Sequence, residues 1–176
     1  ARRYAVGFSI GSMGYIGTGW DGSNFRQDFW EYNSTTNTWS QKADFGGSIR
    51  SDATGFSIGP KGYIGTGYGD FNFKQDFWEY DPGSDAWTQK ANFGGLGRRY
   101  ASGFSIGSKG YIGTGDTGTF HMQDFWEYDP GFDIWTRKAD FGGTARGSAV
   151  GFRIDTKGYI GTGYDGISPT YYTKDF

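Results

Sequence analysis

The sequence predicts an all-β protein made of four-stranded antiparallel blades, the architecture of a β-propeller. Three observations carry this. Gly14-Tyr15-Ile16-Gly17-Thr18-Gly19 returns at 62–67, 110–115 and 158–163, always 48 residues on. Gln27-Asp28-Phe29-Trp30-Glu31-Tyr32 returns at 75–80 and 123–128. Aromatic residues make up 20% of the chain and recur at fixed places, whereas its 33 glycines follow no every-third-residue pattern. Fixed aromatics exclude a flexible linker, and the irregular glycines exclude collagen. A period of this length marks units that bury their faces against copies of themselves. The 176 residues hold about 3.7 such units: 1–48, 49–96, 97–144 and a partial one at 145–176.

The third unit shows each element in order. Tyr100–Ile106 alternates small and large residues, with Phe104 and Ile106 on one face, which predicts a first strand. Gly107-Ser108-Lys109-Gly110 reads as a tight hairpin turn. Tyr111–Gly115 is the second strand, its glycines leaving room for a ring or a second backbone. Residues 116–122 are a loop, and Asp124–Tyr128 is an aromatic third strand. Asp129-Pro130-Gly131 marks a turn, Ile134–Lys138 a fourth strand, and Phe141-Gly142-Gly143 closes the unit.

These residues resemble the kelch repeat: the glycine-rich strand, the aromatic "DFWEYDP" strand, a Trp about seven residues later and an Arg before the next copy. The double glycine common in kelch strands is here Gly-Thr-Gly, and the "FGG" after the Trp strand is similar to kelch-type repeats of secreted Bacteroidota proteins. The resemblance covers essentially the whole chain. It implies a kelch-type propeller related in fold to galactose oxidase, a binding role, and export to the cell surface or medium through a surface secretion machinery such as type IX. Kelch propellers usually close with six or seven blades. The last unit stops at Lys174-Asp175-Phe176, inside its third strand. The expectation is a piece of a larger propeller, or two partial rings that assemble.

Composition narrows the function. The net charge is −2 and no stretch is strongly basic, so nucleic acid is not the expected partner. No run of 18 apolar residues predicts a membrane span. With no cysteine and one histidine, His121, a transition-metal centre lacks ligands. The copper site of galactose oxidase, which needs two histidines and a Tyr linked to Cys, cannot be built, and no spacing implies a Ser-His-Asp triad. No cofactor and no enzyme activity are expected.

The repeated residues read as structure. Trp30, Trp78, Trp126, Trp39, Trp87 and Trp135 are expected between blades, with sugar stacking as the other reading. Arg2, Arg50, Arg98 and Arg146 are expected to brace strands, with Glu31, Glu79 and Glu127 as natural partners and a ring that binds an anionic ligand as the other reading. His121 stands where other units have Phe25 and Phe73, a packing substitute.

The units differ most in the loops between second and third strands: Trp20–Arg26, Tyr68–Lys74, Asp116–Met122 and the longer Tyr164–Thr173. Strand parity puts these loops on one rim with the connections between units. The candidate binding residues there are Trp20, Asp21, Tyr68, Asp70, Asp116, Tyr164, Asp165, Tyr171 and Tyr172. They serve a protein partner or self-assembly in a non-catalytic scaffold, or else a glycan, or they merely form Asx turns and cap edges. Calcium would need more carboxylates than each loop offers. A third alternative is a non-catalytic part of a larger secreted enzyme.

Overall fold

The computed structural model describes residues 1–166 and 172–175 and is all strand and turn. The first blade is β1 (Val6–Ile10), β2 (Met13–Gly17), β3 (Phe29–Asn33) and β4 (Thr38–Lys42). The second is β5 (Thr54–Ile58), β6 (Lys61–Gly65), β9 (Phe77–Asp81) and β10 (Ala86–Lys90); its rim loop adds a short ribbon, β7 (Tyr68–Gly69) and β8 (Asn72–Phe73). The third is β11 (Ser102–Ile106), β12 (Lys109–Gly113), β13 (Phe125–Asp129) and β14 (Ile134–Lys138). The fourth contributes β15 (Val150–Ile154) and β16 (Lys157–Gly161). Each complete sheet runs in chain order, and β1, β5, β11 and β15 pack successively against one another, so first strands line the inside.

Three strand boundaries differ from expectation. The first strand of the third unit is Ser102–Ile106 rather than Tyr100–Ile106, because Tyr100, at φ 57°, bonds to Asp52 and Ser148 instead of the ladder. The second strand of the third unit is Lys109–Gly113, not Tyr111–Gly115. Gly107, at φ 57°, closes a two-residue turn with Ser108, so pairing resumes at once as Ile106↔Lys109. At the far end Thr114 and Gly115 take φ 60° and 103° and lead the chain off the sheet. The third strand is Phe125–Asp129 rather than Asp124–Tyr128, because Asp124 is held by an arginine ahead of the ladder.

Inter-blade packing explains the glycines. A Cβ on Gly62 or Gly110 would sit 2.4 Å from the ring of Phe8 or Phe56 on the preceding blade. These positions are bare because a neighbour's phenyl ring lies flat on them. Trp87 and Trp135 reach backwards, their indole N–H donating to the Ala43 and Ala91 carbonyls at 3.2 and 3.1 Å. Trp78 and Trp126 pack edge-on to Phe45 and Phe93. Trp39, by contrast, is 54% exposed and meets the Tyr32 ring of its own blade, so among the described residues it makes no inter-blade ring contact like those of Trp87 and Trp135. At the other end, Phe104, Tyr111, Phe125, Ala139 and Phe141 border an apolar recess of 410 Å³. The same groups one blade earlier are covered by Tyr128 and Trp135.

The repeated arginines are fully buried at Arg50, Arg98 and Arg146. Their partners are aspartates, not the expected glutamates. Arg98 forks onto Asp124, Nη1 to Oδ1 at 2.5 Å and Nη2 to Oδ2 at 2.9 Å, and Nη1 also donates to the Thr114 carbonyl. Arg50–Asp76 and Arg146–Asp175 repeat this, and Arg2 pairs with Asp28. Burial pushes the Asp124 carboxyl up, but the hydrogen bonds from Arg98 and Trp126 outweigh it and hold it below the usual carboxylate range. Glu31, Glu79 and Glu127 lie opposite Tyr15, Tyr63 and Tyr111 in register and accept their phenol hydrogens at 2.5, 2.6 and 2.7 Å. Burial, and then Glu127, push the Tyr111 phenol up to about 12. Gln27, Gln75 and Gln123 each donate to two carbonyls of a Phe-Gly-Gly loop and hold it under the arginine.

Candidate functional site

Beside this repeated frame lies a surface where the copies diverge. The residue after each buried arginine, or after Arg2, is Arg3, Ser51, Arg99 or Gly147, and the next is Tyr4, Asp52, Tyr100 or Ser148. The second set shares one backbone, φ 58°, 58°, 57° and 57°. Asp52 N–H donates to the Tyr4 carbonyl at 3.0 Å, Tyr100 to Asp52 at 3.2 Å and Ser148 to Tyr100 at 2.9 Å, a belt around the axis. Three residue types at four positions in one left-handed geometry mean the belt sets the backbone, leaving the side chain free to vary.

The variable loops join the same rim. Arg3, Ser51, Arg99 and Gly147 form bridges with Trp20, Tyr68, Asp116 and Tyr164, which in turn pair with Phe25, Phe73, His121 and Tyr172 across each loop. Some candidate residues are occupied in building the loops. Asp21 Oδ1 accepts from the Ser23 and Asn24 amides, and its Oδ2 pairs with Arg26 at 2.5 Å. Those amides, with Arg26, hold its carboxyl below the usual range. Asp116 accepts from the Gly118 amide at 2.7 Å and from Arg99 Nε at 3.0 Å. Asp70 pairs with Lys74 at 3.3 Å, and Asp165 accepts from Thr144 Oγ1 at 3.3 Å. Tyr171 lies outside the described residues.

The structure places six of the nine candidates in two recesses; Asp21, with Trp20, borders a third of 340 Å³, and Asp165 lines none of these. Trp20, Tyr68 and Asp70 line one of 410 Å³ between the first two blades, with Phe25, Ile49 and Phe71. Asp116, Tyr164 and Tyr172 line one of 780 Å³ between the third and fourth, with Tyr4, Tyr100, Arg99 and His121. His121 meets the Tyr164 ring edge-on at 5.3 Å, as Phe25 meets Tyr68 at 6.1 Å. Its packing role thus coexists with a place on the recess wall.

Sequence reasoning missed Phe71, Tyr4, Asp52, Arg99 and Tyr100. Phe71 is 92% exposed at the tip of the β7–β8 ribbon, and both turn residues, Asp70 and Phe71, have positive φ, 49° and 59°. A bulky ring held outward in a left-handed turn is strained, and such strain gathers at functional sites. Asp52 is half-buried; burial pushes its carboxyl up, against Ser51, Arg99 and Arg3, and its Oδ1 has no partner. The signal for the axial set was present: the two residues after the repeated arginine are Arg-Tyr in the first and third copies, Ser-Asp in the second and Gly-Ser in the fourth.

Among the described residues no three His, Cys, Asp or Glu side chains group as a metal site would require, and no helix is long and apolar enough to cross a membrane. No family model and no curated protein matches the chain. Among solved structures, one titled "Structure of YjhT" matches with a TM-score of 0.79 at 17% identity. The alignment covers 93% of this chain, which spans 58% of the length of that one. The likeness shows a β-propeller-type fold.

Proposed function

We propose that the chain is a non-catalytic binding module that holds a protein partner against its variable rim, in a secreted or cell-surface setting. The propeller-type fold is compatible with such a module. The observation that carries the reading is the asymmetry of exposed apolar side chains. Tyr4, Ile49, Phe71, Leu96, Phe120 and Tyr172 stand out on the rim and include four aromatics, whereas among the described residues the opposite rim exposes one aromatic in its turns, Phe132, with the aliphatic Ile134 and Ile154 at the strand ends beside them. Exposed aromatics on rigidly supported loops are the anchors that interfaces use. A photocrosslinking residue in place of Phe71 or Tyr172, compared with one at Ser12 or Ser108 on the opposite rim, tests this in extracts of the source cells. Adducts from the first pair alone support it; equal yields from both pairs, or none from the rim, overturn it.

Carbohydrate binding is the second reading, favoured by the aromatic and polar walls of the 780 Å³ recess. A glycan array without hits removes it, as does glycan binding that is unchanged by Tyr164→Ala and Tyr172→Ala, which truncate two aromatic walls of that recess.

A further inference from the structure

We infer that the recess between the third and fourth blades receives an arginine side chain of the protein partner, a proposal that rests on the protein-binding reading above. One blade earlier the molecule fills the corresponding place with an arginine of its own. The Arg99 guanidinium lies 5.6 Å from the Tyr68 ring centre, 5.6 Å from Phe73 and 4.9 Å from Tyr100, while its Nε binds Asp116. In the fourth unit Gly147 stands at the position of Arg99, bridged to Tyr164 as Arg99 is to Asp116. A Cβ at Gly147 would meet Tyr100, His121 and Asp116 at 3.4, 3.6 and 3.7 Å, ordinary contacts. Its φ is not in the left-handed region, so a side chain would fit there without strain. The recess is therefore the space a side chain leaves when arginine becomes glycine.

Its walls suit a planar cation. Tyr164 faces His121 at 69° and Tyr172 at 62°, with centroid distances of 5.3 and 5.6 Å. Aromatic side chains thus border the recess as they border the Arg99 guanidinium one blade earlier, and aromatic walls attract cations. Asp116 supplies a carboxylate at the same wall. The opposing charge, Arg99, has its Nε tied to Asp116 and its guanidinium over the rings of the second blade, and a carboxylate retains acceptor capacity beyond one such bond. Charge and planarity together select guanidinium over an uncharged group of the same shape.

The test uses N-acetyl-arginine methylamide as probe and the proton signals of His121, the one histidine of the chain, as reporter. The arginine amide shifts these signals saturably, with a Kd of about 1 to 10 mM expected for one side chain. The citrulline analogue, uncharged and of the same shape, binds at least about tenfold more weakly. Gly147→Arg, which places the molecule's own guanidinium in the recess, abolishes the shift, and Tyr164→Ala weakens it about fivefold or more. Equal binding of citrulline overturns the proposal, as does the absence of saturable shifts with the arginine amide or an unchanged response in both variants. Should rim crosslinks persist while the arginine amide fails, the arginine inference falls and the rim reading stands. Should rim crosslinks be absent, the rim reading itself has failed.

Discussion

The tryptophan column offers a comparison in which one substitution meets two environments. Trp39 and Trp87 occupy the same place in successive fourth strands, paired with Tyr32 and Tyr80. Trp87 also contacts Phe29 and Phe45, both at 5.0 Å, and donates to the Ala43 carbonyl at 3.2 Å. Trp39 has the Tyr32 ring, at 5.0 Å, and is otherwise open. Each aromatic pair contributes about 0.5–1.5 kcal/mol beyond its area, and a hydrogen bond about 1 kcal/mol net. Trp87→Ala should therefore lower stability by about 3 kcal/mol or more, near the lower end for truncating a buried Trp. Trp39→Ala should cost about 1 kcal/mol or less. Urea unfolding followed by circular dichroism measures both, and an unchanged m value keeps them comparable. Equal losses in the two variants would refute the account in which the indole acts between blades rather than within one.

Other expectations can be checked in the same assay. Arg98→Ala strands a buried Asp124 and should cost about 3–5 kcal/mol, whereas Arg2→Ala, in a partly exposed pair, should cost about 1 kcal/mol or less; a similar cost for both would contradict the burial argument. Gly110→Ala puts a methyl into the Phe56 ring and should lose about 1–3 kcal/mol, much of it restored by Phe56→Leu. The folded carboxyls of Asp76 and Asp124 are held low, so their contribution is complete above the unfolded value of about 3.9 and is lost as pH falls through the lower folded values. The urea midpoint should thus drop below about pH 4, and Asp124→Asn should flatten that drop. Asp52 has the opposite sign, because its folded carboxyl is raised: stability declines as pH rises from the unfolded value through the folded one. Asp52→Asn should be the more stable form at neutral pH, with an advantage that shrinks on acidification.

Period and composition made the blades legible because every unit obeys the same packing rule, so four readings of one pattern reinforced each other. Partner assignment was less legible. Asp124 and Glu127 both recur every 48 residues, and spacing cannot say which of two equally regular carboxylates meets Arg98. Register decides it: Glu127 lies opposite Tyr111 within the ladder, while Asp124 precedes the strand where the arginine arrives. The rim loops were legible as the places where copies differ. Tyr100 was hidden by being read as the start of a strand, whereas it belongs to the axial belt in a left-handed conformation. Phe71 was hidden because a phenylalanine gives no sequence signal for a turn that usually takes Asn or Gly.

The arginine forks have a consequence for how such a chain changes length. Arg50 with Asp76, and Arg98 with Asp124, lie within one blade, whereas contacts between blades are made by rings and by hydrogen bonds such as Ala43 N–H to Asp85 and Trp87 to the Ala43 carbonyl. Excising residues 49–96 as a block would leave every remaining fork intact and set Trp135 against Ala43 in place of Ala91. Excising residues 73–96 alone would leave the buried Arg50 guanidinium without its carboxylate, and excising 49–72 alone would leave Asp76 without its arginine. The repeat is thus quantised by electrostatics: whole units can be inserted, removed or exchanged, fractional ones cannot, and a new rim can be assembled by shuffling blades rather than by redesigning one.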